Sequence, residues 1–211
     1  MVEYWESRFK NEGAMWKSEP SDSAFAALNL FKSNRINNIL IPGIGYGRNA
    51  RLFCDNGFDV TGIEISKSAI NLAKADRLNC KIHHGSVTFM PFDDRQYDGI
   101  FCYALIHLLN RKERRAFLKS CFNQLKPGGL MIFVVTSKQN SLYGSGKYLS
   151  KDRFEIAKGL RVFFYDLGSV SKEFSDFGLI ECTDIEEPVK FMEGENPMKL
   201  LLVICKKDQN L

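Results

Sequence analysis

Two periodicities alternate along this chain. Short apolar runs bounded by glycine or polar turns, at residues 38–42, 58–64, 80–84, 97–102 and 130–136, read as buried strands. Between them lie segments whose apolar residues recur at helical spacing. One predicted helix runs from Arg48 to Asn56 and is stopped by Gly57; the next follows Ser66 as N-cap and runs to Leu78. A third starts near Arg111 and carries Phe117, Leu118, Cys121, Phe122 and Leu125 on one face. Strands alternating with helices predict an α/β fold, a parallel sheet with helices on both faces. Residues 1–35 are predicted to be a helical N-terminal cap, with an aromatic stripe at Tyr4, Trp5 and Phe9 and a second helix after Ser21 and Asp22. Near the other end, 169–177 reads as a helix and 179–185 and 199–206 as strands.

Between the fifth strand and that late helix the pattern breaks down. Residues 137–168 include Ser141-Leu-Tyr-Gly-Ser-Gly-Lys-Tyr-Leu-Ser150, which is polar, glycine-rich and aromatic. Such an insert is either a lid carrying substrate contacts or a long surface loop. The lid is favoured because Tyr143 and Tyr148 are costly to leave in solvent, and both are expected to line a substrate site.

The first strand breaks into Gly43-Ile-Gly-Tyr-Gly47 and then a helix. Three glycines at alternate positions let a ligand press against bare backbone, with the amides of the helix start facing it. A dinucleotide fold wants its third glycine five positions after the first; that position is Arg48, so a nicotinamide cofactor is disfavoured. The second strand ends at Glu64, twenty-one positions after Gly43. A carboxylate there sits beside the glycine turn and can accept hydrogen bonds from both hydroxyls of a ribose. Gly43, Gly45, Gly47 and Glu64 together predict a nucleoside site.

Bulk composition narrows the classes. Hydrophobic residues are 45% and charged residues 26% of 211, so one folded domain spanning 1–211 is expected rather than a disordered chain. No apolar run approaches membrane-spanning length, and Glu3, Trp5 and Glu6 stand where a signal peptide needs a basic start, so no membrane association and a cytoplasmic location are expected. Net charge is +4, but the densest basic group, Arg111 to Arg115, opens an amphipathic helix and reads as its solvated face; no nucleic-acid partner is expected. Six widely spaced cysteines and three histidines form no ligand spacing, so reduced thiols and no metal are expected. Oligomeric state is left open.

The run from Ile39 to Ala75, with Gly43-x-Gly45-x-Gly47-Arg48-Asn49 and Gly57-Phe-Asp-Val-Thr-Gly-Ile-Glu64, resembles the cofactor half of class I, Rossmann-like S-adenosylmethionine-dependent methyltransferases. The likeness continues through Met90-Pro-Phe-Asp-Asp-Arg-Gln-Tyr-Asp98, Leu105-Ile-His107 and Leu125-Lys-Pro-Gly-Gly129. Tyr4-Trp-Glu-Ser-Arg-Phe9 and Trp16-Lys-Ser-Glu-Pro20 are similar to the opening segment of the thiopurine and tellurite-resistance type enzymes. The resemblance implies a three-layer sandwich whose seven-stranded sheet is mostly parallel, with an antiparallel last strand. It implies S-adenosyl-L-methionine as cofactor and methyl transfer by in-line displacement to a small-molecule S, Se, Te, O or N acceptor, or else a non-catalytic relative that binds the same cofactor. Carried over residue by residue, Trp16, Ile65, Ser86, Val87, Cys102 and Tyr103 join the glycines and Glu64 as cofactor contacts. Trp16 is read equally as an anchor for its helix. Ser86 stands where the family commonly has an acid, as does Ile41. His107 is the candidate general base or acceptor-orienting group, or a histidine that holds its turn by a backbone hydrogen bond. Trp16, Tyr46 and Tyr103 offer aromatic faces to a sulfonium, or simple packing.

Overall fold

Four of the five residues of β1 (Asn38–Pro42) are buried, because this strand lies inside the sheet with a neighbour on each side. The computed structural model describes residues 2–190 and 196–209. Parallel to β1 run β2 (Asp59–Glu64), paired from Asn38–Asp59 to Pro42–Ile63, and β4 (Tyr97–Tyr103). β3 (Lys81–His84) extends the sheet beyond β2, and β5 (Leu125–Thr136) extends it beyond β4. The far side is completed by β10 (Met198–Lys206), antiparallel to both β5 and β9 (Leu179–Glu187). The order is β3-β2-β1-β4-β5-β10-β9, seven strands with the last in sequence running against its neighbours, as the resemblance implies.

Helices cover both faces. On one, α2 (Asp22–Ser33) and α3 (Arg48–Asp55) bring Phe31 and Phe53 against Phe101 and Ile39. On the other, α5 (Arg111–Gln124) and α6 (Leu167–Phe174) bury Phe117, Leu118 and Phe174 against Phe133. The caps read from sequence are made: Ser21 Oγ accepts the Ala24 N–H at 3.2 Å, and Ser66 Oγ accepts that of Ala69 at 3.1 Å at the start of α4 (Lys67–Ala75). The start of α2 has a second cap. The buried Glu187 carboxylate, from the end of β9, accepts the Asp22 N–H at 2.6 Å and the Ser23 hydroxyl at 2.6 Å.

The insert is more ordered than its composition suggests. It contains β6 (Lys147–Ser150), β7 (Arg153–Ala157) and β8 (Leu160–Phe163), an antiparallel sheet separate from the main one. Its strands are too short for their alternation to stand out, and they are held by packing on a single 3-10 turn, Ile106–Leu108, that follows β4. α1 (Val2–Glu12) lies against α4. All six cysteines are free. Among the described residues no group of three or more His, Cys, Asp or Glu could hold a metal, and no helix is long and apolar enough to cross a membrane.

Candidate functional site

Parallel strands deliver their carboxyl tips to one edge, and the order reverses between β1 and β4, which opens a crevice there. The glycine turn enters it from β1. Its path is pinned by the Ile63 carbonyl, which accepts the N–H groups of Gly43 and Ile44 at 2.8 and 3.1 Å. Gly45 has φ +60° and Gly47 φ +87°, a region that L side chains rarely adopt. At Gly47 a Cβ would also fall 2.3 Å from Leu78 Cδ2, whereas at Gly45 its nearest neighbour would be Phe9 at 3.8 Å. The first position is shut by packing; the second has room for a Cβ in ordinary contact with Phe9.

Glu64 holds this turn from β2. Its Oε2 accepts the Gly45 N–H at 2.8 Å, and its Oε1 accepts those of Ile65 and Ser66 at 2.9 and 2.8 Å. Burial pushes the Glu64 carboxyl above its ordinary range, against the pull of these three amides. The expectation that it receives both hydroxyls of a ribose is narrowed by this count. Two amides fill Oε1, and Oε2 keeps capacity for one more donor.

α1 roofs the turn. Phe9 is buried over Gly45, and Trp16 stacks on Tyr46 with ring centroids 6.2 Å apart and planes at 11°. The Tyr46 hydroxyl donates to the Lys17 carbonyl at 2.6 Å and accepts the Trp16 N–H at 3.1 Å; burial pushes its pKa up to about 12. Glu6 fastens the helix down by accepting the hydroxyls of Ser66 and Ser68, each at 2.7 Å, and these bonds hold its carboxyl down at about 2.

The opposite wall begins at the tip of β4. The Tyr103 hydroxyl is buried and finds no hydrogen-bond partner among the described residues, while the Arg48 guanidinium lies 5.4 Å from its ring centroid. Burial pushes that phenol well up. Ala104 follows at φ +53°, a strained conformation for a residue with a side chain. His107 Nδ1 accepts the Thr136 N–H at 3.2 Å, and Thr136 Oγ1 lies 3.2 Å from Nε2. Burial, aided by the Arg114 charge, holds His107 down at about 3, so it is neutral at ordinary pH. Its basic nitrogen is already occupied by the backbone.

A cavity of about 540 Å³ occupies this crevice. Of the residues singled out in sequence, Trp16, Gly43, Gly45, Gly47, Glu64, Ile65, Ser86, Val87, Tyr103 and His107 line it. Ser86 turns its hydroxyl to Thr88 Oγ1 at 2.8 Å. Three expectations are corrected. Cys102 is fully buried in the core on the other face of β4, since strand neighbours point opposite ways. Tyr143 and Tyr148 are not on the cavity wall. The Tyr143 hydroxyl is drawn to Asp152 at 2.8 Å and its ring packs on Phe154 and Phe164, while Tyr148 lies on exposed β6 beside Phe154. The insert instead contributes Ile156, Leu160, Val162 and Phe164, and α1 contributes Trp5 and Phe9. Trp5 and Phe9 were visible as a helical stripe; nothing local marked β7 and β8 as a wall.

Residues 39–129 match the family model described as a methyltransferase domain. That segment is similar to a methyltransferase domain, and it lies on a sheet of the Rossmann-like class. The ubiquinone biosynthesis O-methyltransferase of Coxiella burnetii is 26% identical over 110 residues, covering 50% of this chain and 46% of that protein. The chain thus spans a little under half the length of that relative. Two solved structures, among others, share the fold across the matched segment and its flanks. One is the 1,6-didemethyltoxoflavin-N1-methyltransferase of Burkholderia thailandensis, with a TM-score of 0.76 at 14% identity, covering 98% of this chain and 87% of that one. The other is TehB of Haemophilus influenzae, with a TM-score of 0.67 at 17% identity, covering 97% and 67%.

Proposed function

We propose that this chain is an S-adenosylmethionine-dependent methyltransferase acting on a small-molecule acceptor. The observation that carries the reading is the Gly45–Glu64 latch at the head of a roofed cavity, with bare backbone at Gly45 and an unpartnered Tyr103 hydroxyl inside it. These are the features that a sugar-linked purine with an amino-acid tail would use. Support also comes from the Burkholderia structure, described with bound S-adenosylhomocysteine and its acceptor.

In this reading Gly43, Gly45, Gly47, Glu64, Ile65, Ser86, Val87 and Tyr103 hold the cofactor, and Trp16 with Tyr46 closes over it. When bound, S-adenosylmethionine supplies a methyl group on a sulfonium sulfur, already activated for displacement. The protein then has to align and to exclude water. Alignment alone lowers such barriers by roughly 7–11 kcal/mol in well-oriented cases. Trp5, Phe9 and Trp16 seal one side, and β7 and β8 form the other. His107, neutral and engaged with Thr136, positions the 106–108 turn rather than removing a proton. We assign residues 1–35 as the cap and 137–168 as the substrate cover, and the free cysteines support a reducing, cytoplasmic setting.

Calorimetry separates the alternatives. Binding of S-adenosylmethionine and S-adenosylhomocysteine without binding of NAD is the expected result, and NAD binding alone would overturn the reading. Formation of S-adenosylhomocysteine with an acceptor distinguishes an enzyme from a protein that only binds the cofactor.

A further inference from the structure

The end of the cavity away from the glycine turn differs sharply in chemistry from the end that holds Glu64. It is walled by Leu108, Ile156, Leu160, Val162 and Phe164. Among the described residues lining the whole cavity, three are charged: Arg48, Glu64 and Glu113. Glu64 is committed to the turn. Arg48 lies over Tyr103 at the start of α3, bonded to the Glu19 carbonyl at 3.2 Å. Glu113 accepts the Asn110 N–H at 2.7 Å as part of the cap of α5. No cation is therefore presented at the insert end. Arg153, Lys158 and Arg161, which neighbour the wall residues in sequence, are outside the lining, as is Arg114, which is tied to both oxygens of Glu173 at 2.9 and 3.0 Å. An anionic ligand there would lose its hydration with no cation to balance its charge.

Two polar side chains do reach this end. Thr136 N–H occupies His107 Nδ1, and Thr136 Oγ1 lies 3.3 Å from Nδ1 and 3.2 Å from Nε2, so the threonine hydroxyl sits between the imidazole and the cavity. Asn140 Oδ1 accepts the Leu142 N–H at 3.1 Å, which leaves its amide N–H₂. A hydroxyl and an amide with no cation beside them suit a polar atom that carries no charge. The rim has the same character: Val2, Phe89 and Leu142 line the mouth and are 50%, 78% and 47% exposed. Exposed apolar side chains around a cavity mark a route for an apolar ligand.

We propose that the methyl acceptor is an uncharged, mainly apolar small molecule, its body against Leu108, Leu160 and Val162 and its one polar head at Thr136 and Asn140. This inference rests on the methyltransferase reading and narrows it, because it excludes metalloid oxyanions and carboxylate-bearing acceptors. The lone pair of the acceptor atom forms the new bond to carbon. The pair of the broken carbon–sulfur bond stays on sulfur, and the acceptor's proton leaves to solvent.

The test uses the whole chain saturated with S-adenosylhomocysteine and two fluorescent probes that differ in a sulfonate, N-phenyl-1-naphthylamine and 8-anilinonaphthalene-1-sulfonate. The neutral probe is expected to bind one per chain at least ten times more tightly than the anion. Leu160→Arg, or Leu142→Arg at the exposed rim should the first fail to fold, is expected to weaken the neutral probe more than fivefold, with S-adenosylhomocysteine affinity unchanged. In turnover, benzyl mercaptan is expected to exceed 4-(mercaptomethyl)benzoate and tellurite at least tenfold in kcat/KM. Equal or tighter binding of the anionic probe, absence of neutral-probe binding, or preference for the charged acceptors would overturn the proposal. Failure of S-adenosylhomocysteine to bind would remove the methyltransferase reading, and the probe comparison would still decide what this end of the cavity accepts.

Discussion

Glu64→Gln preserves the shape of the side chain that joins β2 to the glycine turn and removes its charge. Three backbone N–H groups, of Gly45, Ile65 and Ser66, point at the carboxylate from 2.8–2.9 Å. An amide has one oxygen to offer, so whichever way the Gln lies, at least one of these N–H groups faces an N–H₂ instead. A charge-assisted hydrogen bond contributes about 1.5–3 kcal/mol. For stability, a second effect runs the other way. Burial raises the folded pKa of Glu64, so its contribution is full below pH 4.5 and is lost as pH rises through the raised folded value; above that the buried charge is a cost that Gln escapes. The two partly cancel, and unfolding by urea is expected to shift by less than about 1.5 kcal/mol. Ligand binding has no such compensation, because the turn loses its latch and the cavity loses the acceptor capacity left on Oε2. S-adenosylhomocysteine affinity is expected to fall by about 1.5–3 kcal/mol, roughly 10- to 150-fold, as read by titration calorimetry. Affinity within twofold of the unmodified chain would refute the role given to Glu64.

Three other substitutions probe separate parts of the site. Gly45→Val forces a β-branched residue to φ +60° and fills the bare backbone; it should cost about 1–3 kcal/mol of stability and weaken S-adenosylhomocysteine more than 100-fold, whereas Gly57→Ala, also at positive φ but with open space around it, should cost stability alone. Retained affinity in the valine variant would show that no ligand approaches this turn. For His107, held at about 3 against 6.5 for a free imidazole, the unfolded chain binds more protons between these values, so stability falls as pH drops from 6.5 toward 3, by up to about 1.4 kcal/mol per unit. His107→Gln should flatten that decline in urea melts at pH 7 and 5, and an unchanged slope would count against a buried neutral ring. Glu6, lowered to about 2, contributes fully above pH 4.5 and loses its effect as pH falls toward 2; Glu6→Gln should weaken the docking of α1 by about 0.5–1 kcal/mol after solvent screening, seen as faster tryptic cleavage at Arg8 and Lys10.

The parts legible in the sequence are those whose cause is local. A strand of apolar residues, glycines that must take positive φ and a carboxylate at the next strand tip each leave a mark within a few positions, and they meet in space because parallel strands share an edge. Caps at Ser21 and Ser66 are local too. The errors have a different origin. Cys102 and Tyr103 both read as cofactor contacts, but alternation along β4 puts only the Tyr103 side chain on the cavity face, and the period of two contains that information. Tyr143 is costly to leave in solvent, but Asp152 and the Phe154–Phe164 pair satisfy it away from the cavity. The wall built by β7 and β8 depends on contacts with the 106–108 turn some fifty residues earlier in the chain, and no short window records them.

Trp5 packs with both aromatic groups beside the cavity, touching the Phe9–Tyr46 cluster at the glycine end and the Leu108–Val162–Phe164 cluster at the insert end. One indole is thus a hinge pin common to two compartments. Whichever molecule first stills α1 spares the other that entropic toll, so the two should bind with positive cooperativity, and a chain shortened to Ala at this residue should bind them independently.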